Sequence, residues 1–172
     1  MGAKFSLVKR DSRKYMIKKI VSGGQTGVDQ AALDAAIAHG MQYGGWLPPG
    51  RRTENGPLSA RYKMQVLTTG GYPDRTRKNI LDSDGTLIIT KGPLTGGSAL
   101  TARIAKSSAK PLLHIDLTLL GNTRCKVILD EWLRNHQPET LNIAGPRASS
   151  DATIYDNTFA LVSELLKLND LL

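Results

Sequence analysis

Short apolar runs alternate with helix-period stretches along most of the chain. Residues 17–21 form a first apolar run and lead into Gly23-Gly24-Gln25-Thr26-Gly27, followed by an alanine-rich stretch with Val28, Leu33, Ala36 and Ile37 on one broad face. That order predicts a strand, a glycine turn and a helix that stops at Gly40, a residue suited to the position after a helix end. Residues 43–47 predict a second short strand, and a loop rich in Pro, Gly and charge runs from there to about Leu58. Residues 64–67 predict a short extended piece, and Pro73 starts a helix through Ile80 and Leu81. The clearest strand is 86–90, Thr-Leu-Ile-Ile-Thr, continuously apolar or β-branched as a strand covered on both faces should be. It enters a second glycine loop, 91–98, and a helix over about 99–108. A strand at 112–115, a helix over about 123–135, a strand at 140–144 and a helix from 151 to about 169 complete the pattern.

Strands alternating with helices predict an α/β fold: one parallel sheet with helices on both faces. Ligands of such sheets sit at the carboxyl ends of the strands, where chain order reverses. The loops 22–27, 47–56, 91–98 and 145–150 are therefore expected on one rim. In the last helix Tyr155, Phe159, Val162, Leu165 and Leu166 share one face, while Leu161 and Leu168 lie on another. Such breadth predicts a partner surface and a homo-oligomer.

With 172 residues, 40% hydrophobic and 22% charged, the composition fits one soluble domain with a real core. No run approaches the roughly 18 apolar residues of a membrane span, so no membrane partner is expected. One cysteine, Cys125, excludes an internal disulfide and a Cys-rich metal site, and the cytoplasm is the expected compartment. The net charge of +8 changes the picture less than its size suggests. The first 19 residues hold seven basic residues against Asp11, a net +6, which leaves only +2 for the rest. Residues 1–16 are thus read as a flexible basic extension ahead of a single domain, 17–172. With only 5% aromatic residues and a near-neutral body, nucleic acid is not the expected partner.

The candidate chemistry lies on the predicted rim. Gly23, Gly24 and Gly27 let the main chain approach a phosphate closely, and a helix N-terminus behind them favours an anion. Gln25 and Thr26 can donate to phosphate or to a base edge, and Thr26 with Asp29 also fits a helix-capping pattern. The loop is neither G-x-G-x-x-G nor a P-loop, since it lacks the lysine. Gly96, Gly97, Ser98 and Thr101 repeat the arrangement after the second strong strand. Arg75, Arg77 and Arg147 are the arginines best placed to complete an anion site, Arg147 because Gly145-Pro146 fixes its loop, with Arg51 and Arg52 on a neighbouring loop. His39, His114 and His136 are not spaced as metal ligands, so no metal site is expected. If a catalytic base exists, Asp29 or Asp84 is the candidate.

Five segments in order resemble the molybdenum carrier family. They are Gly23 to Asp29, Gly45-Trp46-Leu47-Pro48 with Gly50-Arg51, Arg75-Thr76-Arg77-Lys78-Asn79 with Ser83-Asp84-Gly85-Thr86-Leu87-Ile88, Leu94 to Thr101, and Leu141 to Arg147. The family looks like a branch of the Rossmann-like superfamily that includes the Lonely guy phosphoribohydrolases and the DNA-processing protein DprA. The resemblance implies a three-layer Rossmann-like fold, a small phosphorylated ligand at the rim, homo-oligomers, and a role in carrying molybdenum cofactor, a pterin with a terminal phosphate, or a nucleotide. Lonely guy enzymes carry a glutamate shortly after their Pro-Gly-Gly loop, and residues 95–103 of this chain contain no acid. A developing oxocarbenium centre needs a nearby carboxylate, so the departure points to binding rather than glycosidic hydrolysis. The alternatives are an enzyme cleaving or transferring a nucleotide-derived ligand and a DprA-like single-strand binder.

Overall fold

The strand most legible in the sequence, Gly85–Thr90, lies between two others in the middle of the molecule, with all six residues buried. The structure is a computed structural model and describes residues 15–119 and 121–170. In chain order the elements are β1 (Lys19–Val21), α1 (Val28–Ala38), β2 (Gln42–Gly44), β3 (Trp46–Leu47), β4 (Arg52–Thr53), β5 (Gly56–Pro57), β6 (Gln65–Val66), α2 (Tyr72–Leu81), β7 (Gly85–Thr90), α3 (Gly96–Ser107), β8 (Leu112–Asp116), α4 (Asn122–His136), β9 (Thr140–Ala144) and α5 (Ile154–Asp170). Five strands form a parallel sheet in the order β2-β1-β9-β7-β8.

Alternation along β7 sends Leu87 and Ile89 into a large apolar cluster with residues of α1, α4 and α5. On the other side Ile80 of α2 packs with Ile104 and Ala105 of α3. The result is three layers, helices on both faces of a parallel sheet, a Rossmann-like α/β fold. The last strand to be made, β9, sits in the centre. If β9 and α5 stood at the front of the chain, the strand order would read 3-2-1-4-5, that of a doubly wound dinucleotide-type sheet. In that frame the direction of winding reverses between β9 and β7, and the ligand crevice belongs there.

Three local expectations change. Residues 43–47 do not make one strand. Gly45, at φ 124°, bends the chain so that β2 joins the main sheet while β3 pairs with β6 in a separate two-stranded ribbon. A side chain at Gly45 would sit 2.2 Å from the Ser22 carbonyl oxygen, so the bend is imposed by close backbone packing. Helix α3 begins at Gly96, three residues sooner than the apolar pattern indicates, because its first turn is glycine and serine. In α5, Leu161 is buried with Val162, Leu165 and Leu166, and the Tyr155 hydroxyl donates to Asp34 of α1 at 2.6 Å. The apolar breadth of this helix is used within the chain, with Leu168 left 51% exposed, so it no longer argues for a second copy. Residues 1–14, most of the expected basic extension, lie outside the described residues. Tyr15 and Ile17 are buried in the core.

Candidate functional site

The two glycine loops meet different surroundings. Residues 22–29 are all buried. A Cβ at Gly23 would overlap the Arg75 guanidinium, and one at Gly24 would lie 2.5 Å from Leu47 and 2.8 Å from Leu58. Both glycines are therefore contact points for the protein's own side chains. Gly27, at φ 77°, is the residue before α1, and a Cβ there would press on the Pro146 carbonyl oxygen at 2.5 Å. Thr26 does not cap the helix. Its hydroxyl accepts the Ala148 N–H at 3.1 Å and donates to the Glu54 carboxylate. The Asp29 carboxylate turns back to accept the Gln25 N–H at 3.2 Å, and it pairs with Arg75 at 3.1 Å.

The loop after β7 is different. Side chains at Gly96 and Gly97 would meet nothing within 4 Å. Ser98 folds back on Thr95, accepting its N–H at 3.1 Å and donating to its carbonyl at 2.7 Å. The Thr101 hydroxyl donates to the Gly97 carbonyl at 2.9 Å. The amides of Gly96 and Gly97, in the first turn of α3, have no partner among the described hydrogen bonds, as expected for a helix start. They border a cleft of about 280 Å³ between the loops after β7 and β9, close to the lower end of small-ligand pockets at roughly 300 Å³. This is the crevice that the strand order selects.

Nine of the predicted ligand-binding residues line that cleft: Gln25, Asp29, Arg75, Gly96, Gly97, Ser98, Thr101, Gly145 and Arg147. Gly23, Gly24, Thr26 and Gly27 lie behind it in the packed first loop, and Arg77 is exposed on α2 outside it. Arg51 clamps its own loop, donating to the carbonyls of Leu58, Ser59 and Tyr62, and Arg52 is exposed. Asp84 lies at the opposite rim, before β7, where its carboxylate accepts the N–H groups of Glu139 and Thr140. That places it at the amino ends of the strands, far in topology from the crevice.

Gln25 adds a second polar group to the lining of the cleft. The residue is only 8% exposed, and its Oε1 accepts the N–H groups of Thr26 at 3.1 Å and Glu54 at 2.9 Å. The oxygen is fixed by these two donors, Gln25 lines the cleft, and its Nε2 donor has no protein partner among the described residues. Gly145 allows the β9 loop to close against the sheet, since a Cβ there would lie 2.3 Å from the Ile89 carbonyl oxygen.

The arginines are less free than their positions suggest. Arg75 is buried with Asp29, their side chains 12% and 4% exposed. Burial raises the Asp29 pKa, and the Arg75 charge opposes that rise. Arg147, half exposed, lies 3.8 Å from Glu54. For Glu54, burial pushes the carboxyl up. Hydrogen bonds from the Ser149 and Thr26 hydroxyls and the Ser149 amide, with the Arg147 charge, outweigh it and hold the pKa below the usual value. Both guanidinium groups thus have a carboxylate beside them, Arg75 Nε is a buried donor without a partner, and the α3 N-terminus adds its dipole to the cleft.

Two residues at the site escaped the sequence reading. Glu54 comes from the Pro/Gly-rich loop expected on the rim, with nothing local to mark its carboxylate. Tyr72, first residue of α2, lines the cleft, is 38% exposed and has the Arg75 guanidinium 5.7 Å from its ring centre. An aromatic residue set between Gly71 and Pro73 at a helix start was the available signal. Among the described residues no three His, Cys, Asp or Glu side chains gather as a metal site, and no helix is long and apolar enough to cross a membrane.

Comparison with known proteins agrees with this topology. The model of the circularly permutated YpsA SLOG family matches residues 20–166. A crystal structure described as that of a "Putative molybdenum carrier protein" from Syntrophus aciditrophicus SB is 48% identical in sequence. It covers 91% of this chain and 97% of its own, with a TM-score of 0.86. No curated protein matches. The central position of the last strand, which turns into ordinary doubly wound order once β9 and α5 are moved to the front, is what a permuted member should show, and the chain belongs to the circularly permutated YpsA SLOG family.

Proposed function

We propose that this chain is a cytoplasmic binding protein for a small phosphorylated ligand, a nucleotide or a phosphorylated pterin, and that it serves as a carrier of molybdenum cofactor. The observation that carries the reading is that one cleft is lined both by Gly96 and Gly97, whose amides open helix α3, and by Gln25, whose carboxamide nitrogen has no protein partner among the described residues. Amides at a helix N-terminus bind a phosphate through both hydrogen bonds and dipole, and a buried carboxamide donor adds a fixed direction. Tyr72 offers a flat face to a planar ring at the same cleft, consistent with a purine or a pterin. The carrier role rests on the name of the 48% identical relative. Equilibrium titration with nucleoside monophosphates and with molybdenum cofactor tests the proposal. Saturable binding that weakens in Gln25→Ala supports it, and no binding to well-folded protein rejects it.

A second reading, an enzyme acting on a nucleotide-derived ligand, is favoured by Asp29, a buried carboxylate with raised pKa lining the same cleft. Its Oδ2 is already engaged by Gln25 and Arg75, which suits a structural pair better than a free base. Product release from a nucleotide panel, abolished by Asp29→Asn with binding retained, would establish catalysis.

A further inference from the structure

Beside the cleft the protein holds one of its own carboxylates as a ligand would be held. Glu54 sits at the tip of the β4–β5 hairpin, 28 residues from Thr26 and 95 from Ser149. Its Oε1 accepts the Thr26 hydroxyl and, at 3.2 Å, the Ser149 N–H. Its Oε2 accepts the Ser149 hydroxyl and lies 3.8 Å from Arg147 Nε. Two hydroxyls, a main-chain amide and a guanidinium converging on one point form the donor set of an oxyanion site. Those donors come from the loops after β1 and β9, the loops that also supply Gln25, Gly145 and Arg147 to the cleft.

The hairpin that delivers the carboxylate is slight. It consists of two residue pairs, Arg52 with Pro57 and Thr53 with Gly56, and Pro57 has no N–H to contribute. Asn55, Gly56 and Pro57 are exposed. The main-chain tie between its tip and the site is the Glu54 N–H to Gln25 Oε1. Withdrawal of the tip would expose the four donors without disturbing the sheet.

We propose that this seat is an exchangeable oxyanion subsite. Glu54 fills it in the structure, and a phosphate-type group competes for it. That group is either free phosphate or a second anionic group on the ligand of the cleft, and the proposal rests on the reading of that cleft for the second source only. Glu54 then selects against additional negative charge.

Titration of inorganic phosphate into wild type, Glu54→Gln and Glu54→Ala tests this, with thermal unfolding to confirm that each variant is folded. Phosphate affinity is expected to rise about tenfold or more in Glu54→Ala, as removal of a hydrogen-bonded competing charge implies, and the gain should vanish when Arg147→Ala is added. Glu54→Gln should show a smaller gain, which keeps the test usable if the alanine variant unfolds. Unchanged phosphate affinity in either folded variant overturns the proposal. A parallel titration with AMP and ADP separates the sources: a ratio shifted toward ADP in the variants identifies the ligand's second phosphate, and a gain for phosphate alone identifies the free ion. Binding of AMP to wild type with no phosphate gain in the variants rejects the subsite and spares the cleft. A phosphate gain without any AMP binding does the reverse.

Discussion

The loops 23–27 and 96–98 look alike in sequence, each a pair of glycines between a strand and a helix, yet one is packed shut and the other faces a cleft. The first is covered by Leu47, Leu58 and Arg75, and its polar groups are taken by Glu54, Asp29 and Ala148. The second has no neighbour within 4 Å of either glycine Cβ position. A strand, a glycine turn and a helix N-terminus fix a local geometry that can hold an anion. Segments distant in sequence decide whether that geometry is spent on the fold or left for a ligand.

The largest expected effect comes from stripping the cover of the first loop. Arg75→Ala leaves Asp29 as a buried unpaired charge and should cost about 3–5 kcal/mol in urea unfolding near neutral pH. Because the folded-state pKa of Asp29 is already raised by burial, the variant's deficit should shrink as pH falls and the carboxyl takes up its proton. A deficit that grows on acidification would contradict this assignment.

Alanine in place of one glycine in each loop sharpens the contrast. Gly27→Ala places a Cβ 2.5 Å from a carbonyl oxygen at positive φ and should cost roughly 2–4 kcal/mol. Gly97→Ala meets open space inside a helix and should leave stability within about 1 kcal/mol of wild type, on the stabilising side. Equal losses from the two would mean that the loops do not differ as described.

Glu54→Gln should cost about 1.5–3 kcal/mol at neutral pH, the range of hydrogen bonds to charged groups. The folded pKa of Glu54 lies below its ordinary value, so its contribution is complete above the unfolded pKa, near 4.3, and is lost as pH falls through the folded one. The acid limb of the wild-type stability curve should flatten in the variant, and identical limbs would remove Glu54 from that role. Smallest in stability is Tyr72→Ala. It should leave stability nearly unchanged and weaken a nucleotide by about 1–3 kcal/mol relative to inorganic phosphate, the range of base stacking on an aromatic residue. Tyr72→Phe should restore binding.

What could be read from the chain follows from interaction range. The strand β7 was legible because burial on both faces leaves a continuous apolar run, and the glycine loop at Gly96 and Gly97 stands open because nothing lies within 4 Å of either Cβ position. Gly23 and Gly24 carried the same local signal, and their side-chain cover comes from 47, 58 and 75. The break at Gly45 was hidden because the Ser22 carbonyl that forces it is 23 residues away, and the central place of β9 because strand order is a long-range property. Glu54 belongs to the same class, a carboxylate whose partners at 26, 147 and 149 meet only in the folded chain.

The amide shifts of the two loops, followed by ¹H–¹⁵N correlation spectra while AMP is titrated in, test the central claim most directly. Saturable shifts of Gly96, Gly97, Ser98 and the Gln25 side-chain amide, with Gly23 and Gly24 nearly still, are the predicted result. Shifts centred on Gly23 and Gly24, or none at 96–98 at saturating ligand, would contradict it.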